Sequence, residues 1–352
     1  LEVQGIPQSI ISVPVVIFYL TGAKIQPGER LLALYLNRQG GHKLLVNDLF
    51  RQTRDLGVEI CYYNDIQDGV EILSSFADPN APIAIDKNWP ARFLLRLQEL
   101  GCGSRYVNSS DIVDGVRRMK TPEEREKMRR ASRGNDAVMA KLVKLLSEDH
   151  TELELKELLL KVYQSEGFQY FSFVPITAFA GNAAEPHPRP DGSRGHYGDG
   201  VVLDIGGLMD DYCSDMTRTV FLGTVSDRQR EIYEIVREAN RRGIAAAKPG
   251  VRMCDVDNAA RSYITEMGYG KYFTHRTGHS IGLEVHEAGD VSAVNEAIIQ
   301  PGQCFSVEPG IYLPQENLGV RIEDLVLITE DGCEVLNHYP KELQVIPFPE
   351  DK

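Results

Sequence analysis

Four acidic residues stand where a folded chain rarely places charge. In VVLDIGGLMDDYCSDMTRTVF, residues 201–221, two apolar runs flank a turn-like centre, which predicts a β-hairpin. With the tight turn centred on Met209-Asp210, Asp204 faces Asp215 directly across the pair. Cross-strand neighbours have Cβ atoms about 5 Å apart and like charges there repel, so a divalent cation is the natural compensation. FSVEPGIYLPQENLGVRIEDLVLI, residues 305–328, repeats the arrangement, with Glu308 and Glu323 flanking a Pro/Asn/Gly-rich turn. Ionised carboxylates are seldom buried without a partner, and Arg321, the basic residue of that window, cannot neutralise four of them.

Nitrogen ligands and proton carriers come from HRTGHSIGLEVHE, which holds His275, His279 and His286, three of the chain's 8 histidines. Gly278 and Gly282 beside them are expected to let the backbone approach a ligand. His187 lies in the Pro-rich loop NAAEPHPRP just ahead of the first acidic hairpin. Four carboxylates and one imidazole form an oxygen-rich donor set, suited to two hard or borderline divalent ions rather than to a cysteine-rich structural zinc site. Two such ions about 3.5–4 Å apart lower the pKa of a bridging water and polarise a carbonyl oxygen, which is the machinery of metal-assisted hydrolysis.

The elements that must hold these residues recur along the second part of the chain. A capping box of Thr121, Pro122 and Glu124 opens a long helix. Thr121 and Ser226, each the cap of a helix, are 105 positions apart; helix starts at Thr151 and Asp255 are 104 apart, as are Asp204 and Glu308. A duplicated helix–helix–strand–strand unit follows, with two antiparallel sheets facing each other and helices outside. Ahead of it, the apolar runs LLALYLN, HKLLVND, VEICYY, APIAIDK and SRYVN alternate with helical patterns at Ile66–Phe76 and Pro90–Leu100. That is the pattern of a small α/β domain with a mixed sheet.

Composition narrows the partners. With 352 residues the chain has room for two domains. Its 38 Lys+Arg against 51 Asp+Glu, a net charge of -13, exclude a nucleic-acid groove or an anionic membrane surface as its business and suit small substrates and cations. Six cysteines lie at least 29 positions apart without a CxxC pair, which points to a reducing compartment. The longest apolar run, Ile10–Leu20, is too short for a bilayer and lacks signal-peptide flanks, so the expected location is the cytoplasm.

The motifs LDIGG and CSDMTRT with Asp204 and Asp215, HRTGHSIGLEVHE with His279, SVEPGIY with Glu308 and GVRIEDLVL with Glu323 together resemble the metal-ligand set of the pita-bread metallopeptidases. That group contains Xaa-Pro dipeptidase (prolidase), aminopeptidase P, methionine aminopeptidase and creatinase. The match covers about Thr121–Leu343, and from FYLTG onward the N-terminal part resembles the smaller domain of the prolidase and aminopeptidase P branch. The resemblance implies an α/β domain with a mixed sheet at 1–115 and an α+β catalytic pita-bread domain with an internal pseudo-twofold repeat at 116–352. By the same resemblance Asp204 chelates one metal, Asp215 and Glu323 bridge both, and His279 and Glu308 bind the other. Glu308 is also the proton acceptor for the attacking water; His187 and His286 act on the substrate side; His275, Arg321 and Tyr312 form or back the substrate pocket.

The function so implied is hydrolysis of the bond between an N-terminal residue and a following proline, first in Xaa-Pro dipeptides. The cofactors are two divalent ions, Mn²⁺ ahead of Co²⁺, Fe²⁺ or Zn²⁺, and the assembly is a homodimer. Aminopeptidase P activity on longer Xaa-Pro peptides is the alternative. A non-catalytic peptide-binding module and metal-free creatinase-like chemistry are disfavoured by the full ligand set. The sequence also departs from the resemblance. The helix expected ahead of FYLTG is absent or replaced, Ser280 stands where the group has Gly, and the 288–301 loop has no Lys or Arg to hold a substrate carboxylate.

Overall fold

A computed structural model describes residues 5–350; residues 1–4 and 351–352, the outer ends of the two expected domains, lie outside the described residues. The chain divides into two compact units, 1–116 and 117–352.

The first unit is built on six strands, β1 (Gln8–Ile11), β2 (Ala33–Asn37), β3 (Lys43–Asn47), β4 (Glu59–Tyr63), β5 (Pro82–Ile85) and β6 (Arg105–Asn108), in the order β4-β3-β2-β1-β5-β6. β1 runs antiparallel to β2 and parallel to β5, so the sheet is mixed. Alternate residues feed two separate cores: Ile10, Tyr35 and Leu45 join one, Ile11, Leu34 and Leu44 the other. A sheet covered on both faces needs apolar residues at every position, which is why these strands read as continuous apolar runs. Helices α1 (Pro14–Thr21), α2 (Gly69–Ser74) and α3 (Ala91–Glu99) belong to this unit, and α4 (Ser110–Arg118) leads into the next.

One expectation is corrected here. α2 starts three residues later than Ile66, because the Asp68 side chain caps the N–H groups of Val70 and Glu71, and Ile66 itself is 93% exposed. β1 leads into α1, which takes in Phe18–Thr21 and ends on Gly22 at φ 72°, and among the described residues no helix precedes β1.

The second unit repeats one arrangement. Helix α5 (Pro122–Leu145) carries the capping box on Thr121 and Glu124, and α6 (Glu152–Ser165) carries another on Thr151. After the short α7 (Ala180–Ala183), α8 (Asp227–Ala246) is capped by Ser226 and Gln229, and α9 (Met253–Glu266) follows. α9 begins at Met253, not at Asp255, whose carboxylate instead bonds back to the Arg252 N–H. Isolated bridges pair Thr151 with Arg194 and Arg252 with Ile298, the same contact at the start of the second helix in each half.

The strands follow the same duplication. β7 (Tyr170–Phe171), β8 (Ile176–Phe179), β9 (Gly200–Ile205), β10 (Gly207–Met209), β11 (Tyr212–Cys213) and β12 (Met216–Leu222) come from the first half. The second half gives β13 (Gly278–Ser280), β14 (Glu287–Val291), β15 (Cys304–Val307), β16 (Gly310–Leu313), β17 (Leu318–Arg321), β18 (Asp324–Ile328) and β19 (Cys333–Val335), with β20 (Val345–Ile346) after them. One sheet has the order β20-β12-β9-β8 and another β14-β13-β15-β18-β19. Hydrogen bonds from Glu323 N–H to the Thr217 carbonyl and between Thr219 and Arg321 tie the two hairpins together. Among the described residues no helix is long and apolar enough to cross a membrane, and all six cysteines are free.

Candidate metal centre and active site

The two acidic hairpins meet at their interruptions. In the second, β15–β18 and β16–β17 share one register, Val307 opposite Asp324 and Gly310 opposite Arg321, which sets Glu308 across from Glu323 at the break between them. In the first, Asp204 pairs with Thr217 rather than Asp215. The turn is Asp210-Asp211, at φ 51° and 70°, one position later than expected. Acidic residues tolerate the left-handed conformation where Met209 does not. Moving the turn by one position slides the register by two, so the face assigned to Asp204 is unchanged and Asp215 becomes its diagonal neighbour.

One cavity of about 800 Å³ is lined by Asp204, Asp215, Glu308, Glu323, His279, His275, His286 and His187. Single ligand atoms of Asp215, His279 and Glu323, all buried, lie within 4.8 Å of one another. His279 Nε2 is 3.5 Å from both Asp215 Oδ2 and Glu308 Oε1. Its Nδ1 lies 3.3 Å from the Ser280 carbonyl, so placing the proton there leaves Nε2 with a lone pair toward the carboxylates. Ser306 accepts from the His279 N–H at 3.0 Å and donates to Glu308 Oε1 at 3.1 Å. Thr217 donates to Glu323 Oε2 at 2.7 Å.

Asp204 Oδ1, Asp215 Oδ1 and Glu323 Oε1 are buried and find no hydrogen-bond partner among the described residues. Burial first, then the neighbouring carboxylates, push Asp215 and Glu323 well above the usual carboxylate range. Such a set is unfavourable by itself and fits divalent cations, which would accept the unused oxygens and cancel the repulsion. A raised carboxylate pKa means that the metal-free site holds protons that cation binding must expel. Titrating Mn²⁺ into metal-free protein at about pH 6 is therefore expected to release protons, with affinity weakening as pH falls. Calorimetry in two buffers of different ionisation enthalpy measures this, and zero release contradicts it.

Arg321 and Tyr312 do not line the cavity; both are buried behind it. Arg321 donates to Asp204 Oδ2 at 2.7 Å, to the Tyr312 hydroxyl at 2.7 Å and to Thr217 at 3.2 Å. Because a guanidinium only donates, the Tyr312 O–H donates to His275 Nε2, 2.8 Å away, while His275 Nδ1 donates to the Arg276 carbonyl at 2.7 Å. Both ring nitrogens of His275 are thus committed, and burial lowers its pKa. These positions give Arg321 and Tyr312 the work of holding Asp204 and His275 in place. His286 and His187 differ: both rings reach the cavity and neither forms a side-chain hydrogen bond among the described residues. Desolvation, with His279 beside it, brings His286 down to about 4, so its imidazole is neutral above that.

The glycines serve packing instead of a ligand. A Cβ on Gly278 would lie 1.8 Å from the Ser306 carbonyl oxygen, and one on Gly282 would strike the Glu287 carboxylate at 2.6 Å. Sequence reasoning missed Ser306 and Thr217, small hydroxyl residues whose only signal was their spacing of two from Glu308 and Asp215.

The description "Metallopeptidase family M24" matches residues 126–330, and "Creatinase/Prolidase N-terminal domain" matches 1–119. The chain belongs to metallopeptidase family M24. An uncharacterized peptidase of Staphylococcus aureus strain MRSA252 is 34% identical over 339 residues, 94% of each chain. A prolidase from Thermococcus sibiricus superposes with a TM-score of 0.93 at 30% identity, covering 98% of this chain and 95% of that one. The Xaa-Pro dipeptidase from Bacillus anthracis gives 0.88 at 28%, covering 98% and 96%. As an M24 peptidase the chain joins a creatinase-type N-terminal domain to a pita-bread domain, and the family's use of divalent metal matches the donor set above.

Proposed function

We propose that this M24 peptidase uses two divalent ions to hydrolyse the bond between an N-terminal residue and a following proline, chiefly in Xaa-Pro dipeptides. The observation that carries the reading is the group of three partnerless buried carboxylate oxygens around His279 and Glu308. In this reading residues 116–352 form the catalytic domain. Asp204, Asp215, His279, Glu308 and Glu323 would hold the two ions, with Mn²⁺ suited to a mixed imidazole and carboxylate set.

When bound, the ions would activate water and polarise the scissile carbonyl. The remaining work falls to the chain's own side chains. Glu308 takes the proton of the attacking water and delivers it to the proline nitrogen, which must be protonated to leave. His286 and His187, with ring nitrogens unengaged, donate to the carbonyl oxygen as it becomes anionic or to the departing nitrogen. The cavity wall also carries Lys156, Arg189 and Arg276, whose side chains form no hydrogen bond or ion pair among the described residues. In a chain of net charge -13, three uncompensated cations beside the site favour a substrate whose free carboxylate lies close to the scissile bond. That feature supports the dipeptide over the longer peptide.

Metal-loaded protein incubated with Ala-Pro and with Ala-Pro-Pro-Ala tests this. We expect Ala-Pro to react at least about tenfold faster, the discrimination that one charged hydrogen bond supplies. The reverse order favours an aminopeptidase, and hydrolysis of neither refutes the Xaa-Pro assignment.

A further inference from the structure

Away from the metal ligands, a knot of buried charge folds around Glu287. Its carboxylate accepts from Arg117 Nη2 at 2.7 Å and from Lys120 Nζ at 2.6 Å, and the three side chains are 5%, 5% and 1% exposed for Glu287, Arg117 and Lys120. It also accepts the Leu283 N–H at 3.0 Å, while Arg117 reaches Glu284 Oε2 at 2.9 Å. The Gly282 N–H bonds the Glu284 carbonyl at 3.0 Å, and the Gly282 carbonyl receives the Cys213 N–H at 2.8 Å. The turn from Ile281 to Glu287 is therefore wound about one carboxylate, with Gly282 pressed so close that no side chain fits there.

We propose that Glu287, clamped by Lys120 and Arg117, is the positioning residue that aims His286 into the active site. Glu287 opens β14 opposite Ser280, and His286 is the last residue of the bend that leads into it. With Glu287 drawn into the knot, His286 is turned to the cavity, its ring centre 4.3 Å from that of His279 and nearly perpendicular to it at 76°. None of Glu287, Lys120 and Arg117 lines the cavity, so the knot acts only through the turn it holds. A paired buried charge has a single low-energy arrangement, and removing one partner leaves the others uncompensated. That requirement helps fix the turn, and among the described residues the His286 ring makes no hydrogen bond of its own that would hold it.

The proposal rests on the part given to His286 in peptide hydrolysis, so its test includes a measurement independent of catalysis. Glu287→Gln and Lys120→Met, made in the full-length metal-loaded protein, are expected to raise backbone hydrogen exchange of residues 281–286 at least about tenfold while α8 keeps its native rate. On Ala-Pro the same variants should lose about 10–100-fold in kcat, with KM within about twofold of native. In a His286→Ala background each should cost no more than about twofold further, because the group it acts through is gone. Should Glu287→Gln fail to fold, Lys120→Met decides alone, since it leaves the carboxylate bonded to Arg117 and Leu283. Native exchange in the 281–286 turn of the folded variants overturns the proposal, and so does a full multiplicative loss in the His286→Ala background. A native protein that leaves Ala-Pro uncleaved refutes the dipeptidase reading instead, and the exchange rates still decide whether the knot seats the turn.

Discussion

Glu308→Gln is expected to lower kcat by at least about 100-fold, the scale of general acid–base catalysis. The residue is fixed at both ends: its N–H bonds the Thr277 carbonyl at 2.8 Å and its Oε1 accepts from Ser306 at 3.1 Å. Glutamine keeps the shape and can still accept the Ser306 hydrogen bond, but it cannot take a proton from water. Loss of a negative donor can also weaken metal retention, so metal content is measured on the same preparation. A variant that binds metal like the native protein and turns over at the native rate shows that Glu308 is not the base.

His286→Ala and His187→Ala should each lose at least about 100-fold in kcat/KM, with native metal content and melting temperature. Their rings line the cavity and form no hydrogen bond among the described residues, whereas His275 spends both nitrogens on Arg276 and Tyr312. A group placed only for stability would behave oppositely, costing about 1–3 kcal/mol of folding energy with turnover intact. Neutrality of His286 above about 4 means that it donates as an imidazole N–H, so its own titration should leave no limb near pH 6.5 in the kcat/KM profile. Unchanged hydrolysis in both variants removes these histidines from the mechanism.

Legibility of the site followed sequence distance. Caps at Thr121, Thr151 and Ser226 were readable because an N-cap and its third helical residue are close neighbours in the chain. Acid pairs were readable because each lies within one hairpin. The exact partner of Asp204 was not, since it turned on whether Met209 or Asp211 would adopt a positive φ. Parity survived that error, so the residues still converge. Contacts made across the fold gave no local signal. The Arg321, Tyr312 and His275 relay joins two different segments, and the Lys120 to Glu287 pair spans 167 positions. Both depend on packing of distant segments, which periodicity and turn chemistry do not encode. The same limit made Gly278 and Gly282 look like ligand approaches, when the atoms they admit are the protein's own Ser306 carbonyl and Glu287 carboxylate.

The central claim is that the partnerless carboxylate oxygens around His279 exist to hold divalent metal that the peptidase reaction requires. Its most direct test is a titration of exhaustively demetallated protein with Mn²⁺, following bound metal and Ala-Pro hydrolysis together. The account predicts no hydrolysis before metal is added, two ions bound at saturation and activity that rises with occupancy. Mg²⁺ should restore less than Mn²⁺ or Co²⁺, because an imidazole among the donors favours borderline ions. Full activity in protein shown to contain no metal would contradict it.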